Sequence, residues 1–133
     1  MLLKQLMEAF DVLDSSTVTG KDVENYLRSI QPDANIEVYE LKGPSGSTDM
    51  VKVRIPGSRG KASGGSAPTI GILGRLGGIG ARPDVIGFVS DGDGALAAIT
   101  VAAKLLDMRK KGDVLEGDVF VSTQICPHAP TQP

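Results

Sequence analysis

Tryptophan is absent, cysteine and histidine occur once each, and the aromatic residues amount to three Phe and two Tyr among 133 residues. With so few rings the core has to be built from Leu, Ile, Val and Ala, and the stacking platform used by single-strand nucleic-acid binders is excluded. Positive charge is also short: 14 Lys and Arg stand against 16 Asp and Glu, a net charge of −2. There is no basic excess to displace counterions from a phosphate backbone. A lone cysteine, Cys126, cannot form an internal disulfide, which fits a reducing compartment. No apolar run approaches the roughly 18 residues of a membrane span, and the opening Met-Leu-Leu leads into an amphipathic pattern rather than a uniformly apolar leader. The sequence therefore reads as a cytoplasmic protein without nucleic-acid or membrane partners. What is present, 41% hydrophobic and 23% charged residues, suits one soluble globular domain and is too apolar for a disordered chain.

Helical spacing of Leu3, Leu6, Phe10 and Leu13 predicts a first helix with one buried stripe, ended by the turn-forming Asp14 to Thr17. Thr19-Gly20-Lys21-Asp22 reads as a cap for a second helix that buries Val23, Tyr26, Leu27 and Ile30. Ile36 to Leu41 and Val51 to Ile55 read as an antiparallel strand pair with one wet face, joined by a flexible Gly43 to Asp49 loop. Residues 57–67, rich in Gly and Ser, read as a flexible loop. Ile70 to Leu73 and Val85 to Val89 are apolar runs of the kind covered on both faces, Ala95 to Leu106 keeps helical spacing up to a basic end, and Val119 to Ser122 reads as a further strand. The order strand, helix, strand from Val85 to Ser122 is a βαβ unit, so the expected fold is α/β with a mostly parallel sheet, flanking helices and an antiparallel pair near the N-terminus.

Ligands of open α/β sheets bind outside the carboxyl ends of the strands. Asp91 and Asp93 follow one predicted strand and Cys126 and His128 follow the next, so all four belong on one sheet edge. Two carboxylates beside glycines at a helix start can ligate a hard cation, or one can cap the helix while the other is solvated. Cys126 with His128 offers an activated thiolate or a zinc pair; equally, Cys126 is a small packed hydrophobe. The glycine-rich Gly71 to Pro83 lacks both the phosphate-loop and the dinucleotide spacing, so no nucleotide cofactor is assigned. Its Leu73, Leu76 and Ile79 instead suit a subunit contact, hence a homo-oligomer.

Gly43 to Asp49, Ala67-Pro68-Thr69-Ile70-Gly71, Gly74 to Pro83, Val89 to Ala95 and Ile125 to Pro133 together resemble an uncharacterised bacterial and archaeal family, domain of unknown function 1177, over essentially the whole chain. That resemblance implies that residues 1–133 form a single domain at the N-terminal portion of a protein about twice as long. A second similarity, from Val85 to about Cys126, is to the co-catalytic zinc aminopeptidases and deacylases. Asp91, Gly94, Ala97 and Ala98 match a pattern in which the Asp bridges two metals, which implies a three-layer α/β fold and Asp91 as a ligand. Where those enzymes carry a glutamate pair this chain has Ile125 and Cys126, and no His precedes Asp91.

Two functions follow as expectations. The first is a metal-dependent hydrolase-like domain of the aminopeptidase or amidohydrolase type, acting on a small molecule or peptide. Zinc or another divalent metal would be held by Asp91, Asp93 and His128, with His128 and Cys126 as the catalytic candidates. The second is a non-catalytic α/β module for oligomerisation or small-ligand binding.

Overall fold

The structure is a computed structural model that describes residues 2–80 and 87–129. Helix α1 (Leu2–Leu13) packs on helices α2 (Gly20–Ile30) and α3 (Asp93–Lys110), and those two pack on a four-stranded sheet. Its strands are β1 (Asn35–Gly43), β2 (Gly46–Ile55), β3 (Ile70–Gly74) and β4 (Val119–Ile125), in the spatial order β1-β2-β4-β3. The fold is α/β as expected, but the sheet is mixed: β1 with β2 and β2 with β4 run antiparallel, and only β3 with β4 is parallel. The expected mostly parallel sheet is thus corrected. The reason is the hairpin, which places β2, rather than another crossover strand, against β4.

The crossover unit survives with a different first strand. Val85 and Ile86 lie outside the described residues, Gly87 to Val89 carry no strand pairing, and β3 is the strand that precedes α3 and runs parallel to β4. Rows of apolar side chains cross the sheet in register, Ile36 with Val53, Val53 with Val121 and Val121 with Ile72. They join the core cluster with Val23, Leu27, Ile99 and Leu106 of the helices. On the other face Lys52 lies over the Tyr39 ring and Arg54 over Phe120, at 5.2 and 5.1 Å. The described residues therefore make two layers, with cation–π stacking covering the wet face rather than a third layer of helices.

Local chemistry explains most boundaries. The Thr19 hydroxyl accepts from the Asp22 N–H at 3.2 Å, and the Asp22 carboxylate accepts from the Thr19 N–H at 3.0 Å, closing a reciprocal cap on α2. The hairpin is longer than its composition suggests, because Leu41 pairs with Thr48 and Lys42 with Ser47. Ladder bonds come from the backbone, so a Gly/Ser-rich sequence does not prevent them.

Helix α1 departs from expectation. It buries Gln5, Ala9 and Leu13, whereas Leu3, Leu6 and Phe10 of the predicted stripe stay 55%, 38% and 37% exposed. The helix packs mainly on α3, whose buried face is largely alanine, and the small Ala9 suits that close approach better than a row of leucines. Of the expected contact residues Leu73, Leu76 and Ile79, only Leu73 is outside, at 82% exposure, while Leu76 and Ile79 belong to the core.

Residues 57–67 are laid onto the turn before β4. Ser58 N–H donates to Leu115 O at 2.8 Å and Arg59 N–H to Glu116 O at 2.9 Å. The Asp118 carboxylate accepts from Gly57 N–H at 2.8 Å and from Ala62 N–H at 3.0 Å. Those two backbone donors hold the Asp118 carboxyl below the usual carboxylate range. A carboxyl depressed in the folded state contributes stability that is present above its unfolded pKa and is lost as pH falls through the folded one. Asp118→Asn is therefore expected to melt below the wild type at pH 7, with the gap narrowing at an acid pH as the carboxyl of the wild type becomes protonated. Melting curves at both pH values check this, and a gap that does not narrow in acid refutes it.

Candidate functional site

Because β3 and β4 are parallel, Gly74 and Ile125 leave the sheet at the same edge, and the start of β2 lies there too, with Asp49 opposite Ile125. The first turn of α3 comes to this edge as well: Ala95 N–H donates to Arg75 O at 3.0 Å. A Cβ on Gly74 would stand 2.5 Å from Gly94 O. The sequence-predicted residues Asp91, Asp93, Cys126 and His128 are thus assembled on the carboxyl edge, where α/β sheets bind ligands.

A strap of residues 75–80 joins the two groups. Gly77 N–H donates to Asp91 O at 3.3 Å, Gly78 N–H to Ala129 O at 2.9 Å and Gly80 N–H to Pro127 O at 2.7 Å. The strap is anchored from below by Leu76 and Ile79, 0% and 1% exposed, and Gln124 Nε2 donates to Leu76 O at 3.3 Å. Its glycines permit this: a Cβ on Gly77 would stand 2.9 Å from the Ala129 Cβ, and one on Gly80 would stand 3.1 Å from His128 Nδ1. His128 Nδ1 is itself 3.0 Å from Gly80 O, which fixes the ring through Nδ1 and leaves Nε2 as its other nitrogen.

The strap places Asp91 and His128 at its two ends without merging them. Its link to Asp91 is through the backbone carbonyl. Among the described residues no three His, Cys, Asp or Glu side chains gather closely enough to hold a metal ion. Asp91, Asp93 and His128 therefore do not by themselves make the tetrahedral or octahedral set that a zinc or manganese ion needs. Cys126 is half-buried, its Sγ 3.9 Å from Ser47 O.

Cys126 and His128 also line an open depression of about 630 Å³, whose other wall is the tip of the β1–β2 hairpin, including Leu41, Ser47 and Thr48. A neighbouring hollow of about 340 Å³ extends it past Asp49 to Thr17 and Thr19. Asp49 is spoken for, since its Oδ2 accepts from Gly20 N–H at 2.8 Å at the start of α2. Sequence reasoning missed the hairpin wall. The signal was the length of the hairpin, which carries Ser47 and Thr48 past the end of β4.

No curated protein matches the sequence. Among solved structures, the bottromycin maturation enzyme BotP superposes with a TM-score of 0.56 at 17% identity, over 97% of this chain and 30% of BotP. A second BotP structure, in complex with Mn, gives 0.56 at 16% identity, over 96% of this chain and 31% of that one. Glutaminyl cyclase from an Acidobacteriales bacterium gives 0.45 at 13% identity, over 90% and 44%. The chain thus spans about a third of the length of BotP, and the likeness to BotP is one of fold. In sequence, the profile described as protein of unknown function (DUF1177) matches residues 39–133, and the chain belongs to the DUF1177 family.

Proposed function

We propose that the carboxyl edge of the sheet is part of the site of a metal-dependent hydrolase-like protein of the aminopeptidase or amidohydrolase type. In this reading Asp91 is a metal ligand, Asp93 a second ligand or its support, and His128 and Cys126, at the other end of the strap, are the polar groups offered to an amide or small peptide. The observation that carries it is the strap, which hydrogen-bonds both to Asp91 and to the Pro127 to Ala129 segment and so holds the two groups of candidate residues on one edge. The fold shared with BotP, one structure of which contains Mn, supports the choice of a divalent metal. The described side chains supply fewer ligands than a hydrolytic metal centre requires, so no step of hydrolysis is assigned to them.

A second reading, a non-catalytic module that binds a small ligand, is favoured by the depression against Cys126 and His128. Metal content separates the two. After dialysis against manganese or zinc and then against metal-free buffer, elemental analysis is expected to find bound metal that falls about tenfold in Asp91→Ala with the circular dichroism spectrum retained. Metal content unchanged by that substitution removes Asp91 from the site. No metal in the wild type or in a version extended to the family's usual length leaves the binding module.

A further inference from the structure

Helix α1 is turned so that it hides a glutamine and shows its apolar stripe. Gln5 is 5% exposed with its Oε1 unpartnered among the described residues, while Leu2, Leu3, Leu6, Met7 and Phe10 are 37% to 60% exposed. At about 100° per residue, Leu3, Leu6, Met7 and Phe10 form one continuous face, and Lys4 and Asp11 lie together along one margin of it. Phe10 extends the face to Phe88, ring centroids 4.9 Å apart. Lys4 and Asp11 are both exposed, and neither is in an ion pair among the described residues; Lys4 adds only its field to that of Lys111 on Asp107.

We propose that this face is a homodimer interface in which α1 packs antiparallel on α1 of a second copy. The charges select that occupant. About a two-fold axis passing near Leu6 and Met7, Leu3 meets the partner's Phe10 and Leu6 meets the partner's Met7. Lys4 then meets the partner's Asp11 twice over, by symmetry, on the same margin. Such a surface is self-complementary, as an isologous contact must be. The four side chains of the face bring on the order of 400 Å² of exposed apolar area per protomer, about half of the roughly 800 Å² per partner of a standard interface, and the flanking polar residues form its rim.

Sedimentation equilibrium over a range of concentrations tests this. The wild-type chain is expected to dimerise, and Leu3→Glu/Met7→Glu to associate about tenfold more weakly or not at all, with an unchanged circular dichroism spectrum because both positions are exposed. Lys4→Glu and Asp11→Lys should each weaken the dimer, and the double charge swap should restore it. In a Cys126→Ser background, Met7→Cys is expected to cross-link the dimer under mild oxidation, a readout that does not depend on the charged variants folding. A wild type that stays monomeric at every concentration, a dimer indifferent to Leu3→Glu/Met7→Glu, or a double swap that fails to rescue each overturns the proposal.

Discussion

Leu76→Ala is expected to cost about 3 kcal/mol, enough to lower the thermal midpoint by roughly 10 °C in a domain of this size. Leu76 is 0% exposed in a segment that otherwise has little to bury. Arg75 is exposed, and Gly77, Gly78 and Gly80 have no side chains, which leaves Leu76 and Ile79 as the only apolar anchors of the strap. Truncation removes most of one anchor and leaves a cavity that the close-packed core cluster around it fills poorly. The effect should reach the site, because the bonds from Gly77 to Asp91 and from Gly78 to Ala129 are held in place by that anchor. Urea unfolding gives the energy, and hydrogen exchange of the Gly77, Gly78 and Gly80 amides gives the local effect, which should be acceleration. A loss below about 1 kcal/mol would mean that the strap is held by its hydrogen bonds alone.

Gly74→Ala is expected to be comparably damaging for the opposite reason, overpacking. The added Cβ would stand 2.5 Å from Gly94 O, 2.8 Å from Gly94 C and 3.0 Å from the Ala98 Cβ. Two of these three are backbone atoms, so no rotamer change relieves the contact and either β3 or the first turn of α3 has to move. A cost of about 3 kcal/mol follows. A Cβ on Gly71, in the same strand, would meet nothing within 4 Å, and Gly71→Ala should stay within about 0.5 kcal/mol of the wild type. Urea midpoints of the two variants measure the difference, and equal effects would show that the contact between β3 and α3 is not tight. Since Asp91 and Asp93 lie at that helix start, Gly74→Ala also tests how far ligand binding at the edge depends on its placement.

What could be read from the sequence was whatever depends on local periodicity or on a cap. Helices α2 and α3 follow from their spacing, the reciprocal cap from Thr19 and Asp22, and the core of the hairpin from the alternation of Val51 to Ile55. The common edge of Asp91, Asp93, Cys126 and His128 follows from a helix between parallel strands, although the strand before that helix is β3 and not the expected Val85 to Val89 run. Tertiary choices were hidden. The 3.6-residue pattern of α1 identifies a helix but not which of its faces the Ala-rich α3 can approach. The mixed sheet depends on β2 pairing with β4, which no local signal specifies. The bonds from Asp118 to Gly57 and Ala62 and those of the strap run to backbone donors, and a backbone donor has no sequence signature. The same blindness applies to the candidate metal ligands: spacing can bring carboxylates to one edge without bringing their oxygens to one point.

The strand order also dictates a timetable. The β1–β2 hairpin forms from neighbouring residues, but the strand that joins β2 to β3 is β4, made after the other three described strands. Until Val119–Ile125 has left the ribosome, Val51, Val53 and Ile55 border an open sheet edge and β3 has no strand to pair with. The loops that close when β4 arrives are long, so their entropy is lost in a single late step. Among the described strands, assembly of the sheet therefore waits for β4, and until then the β2 edge of the hairpin is an unpaired strand edge open to wrong partners.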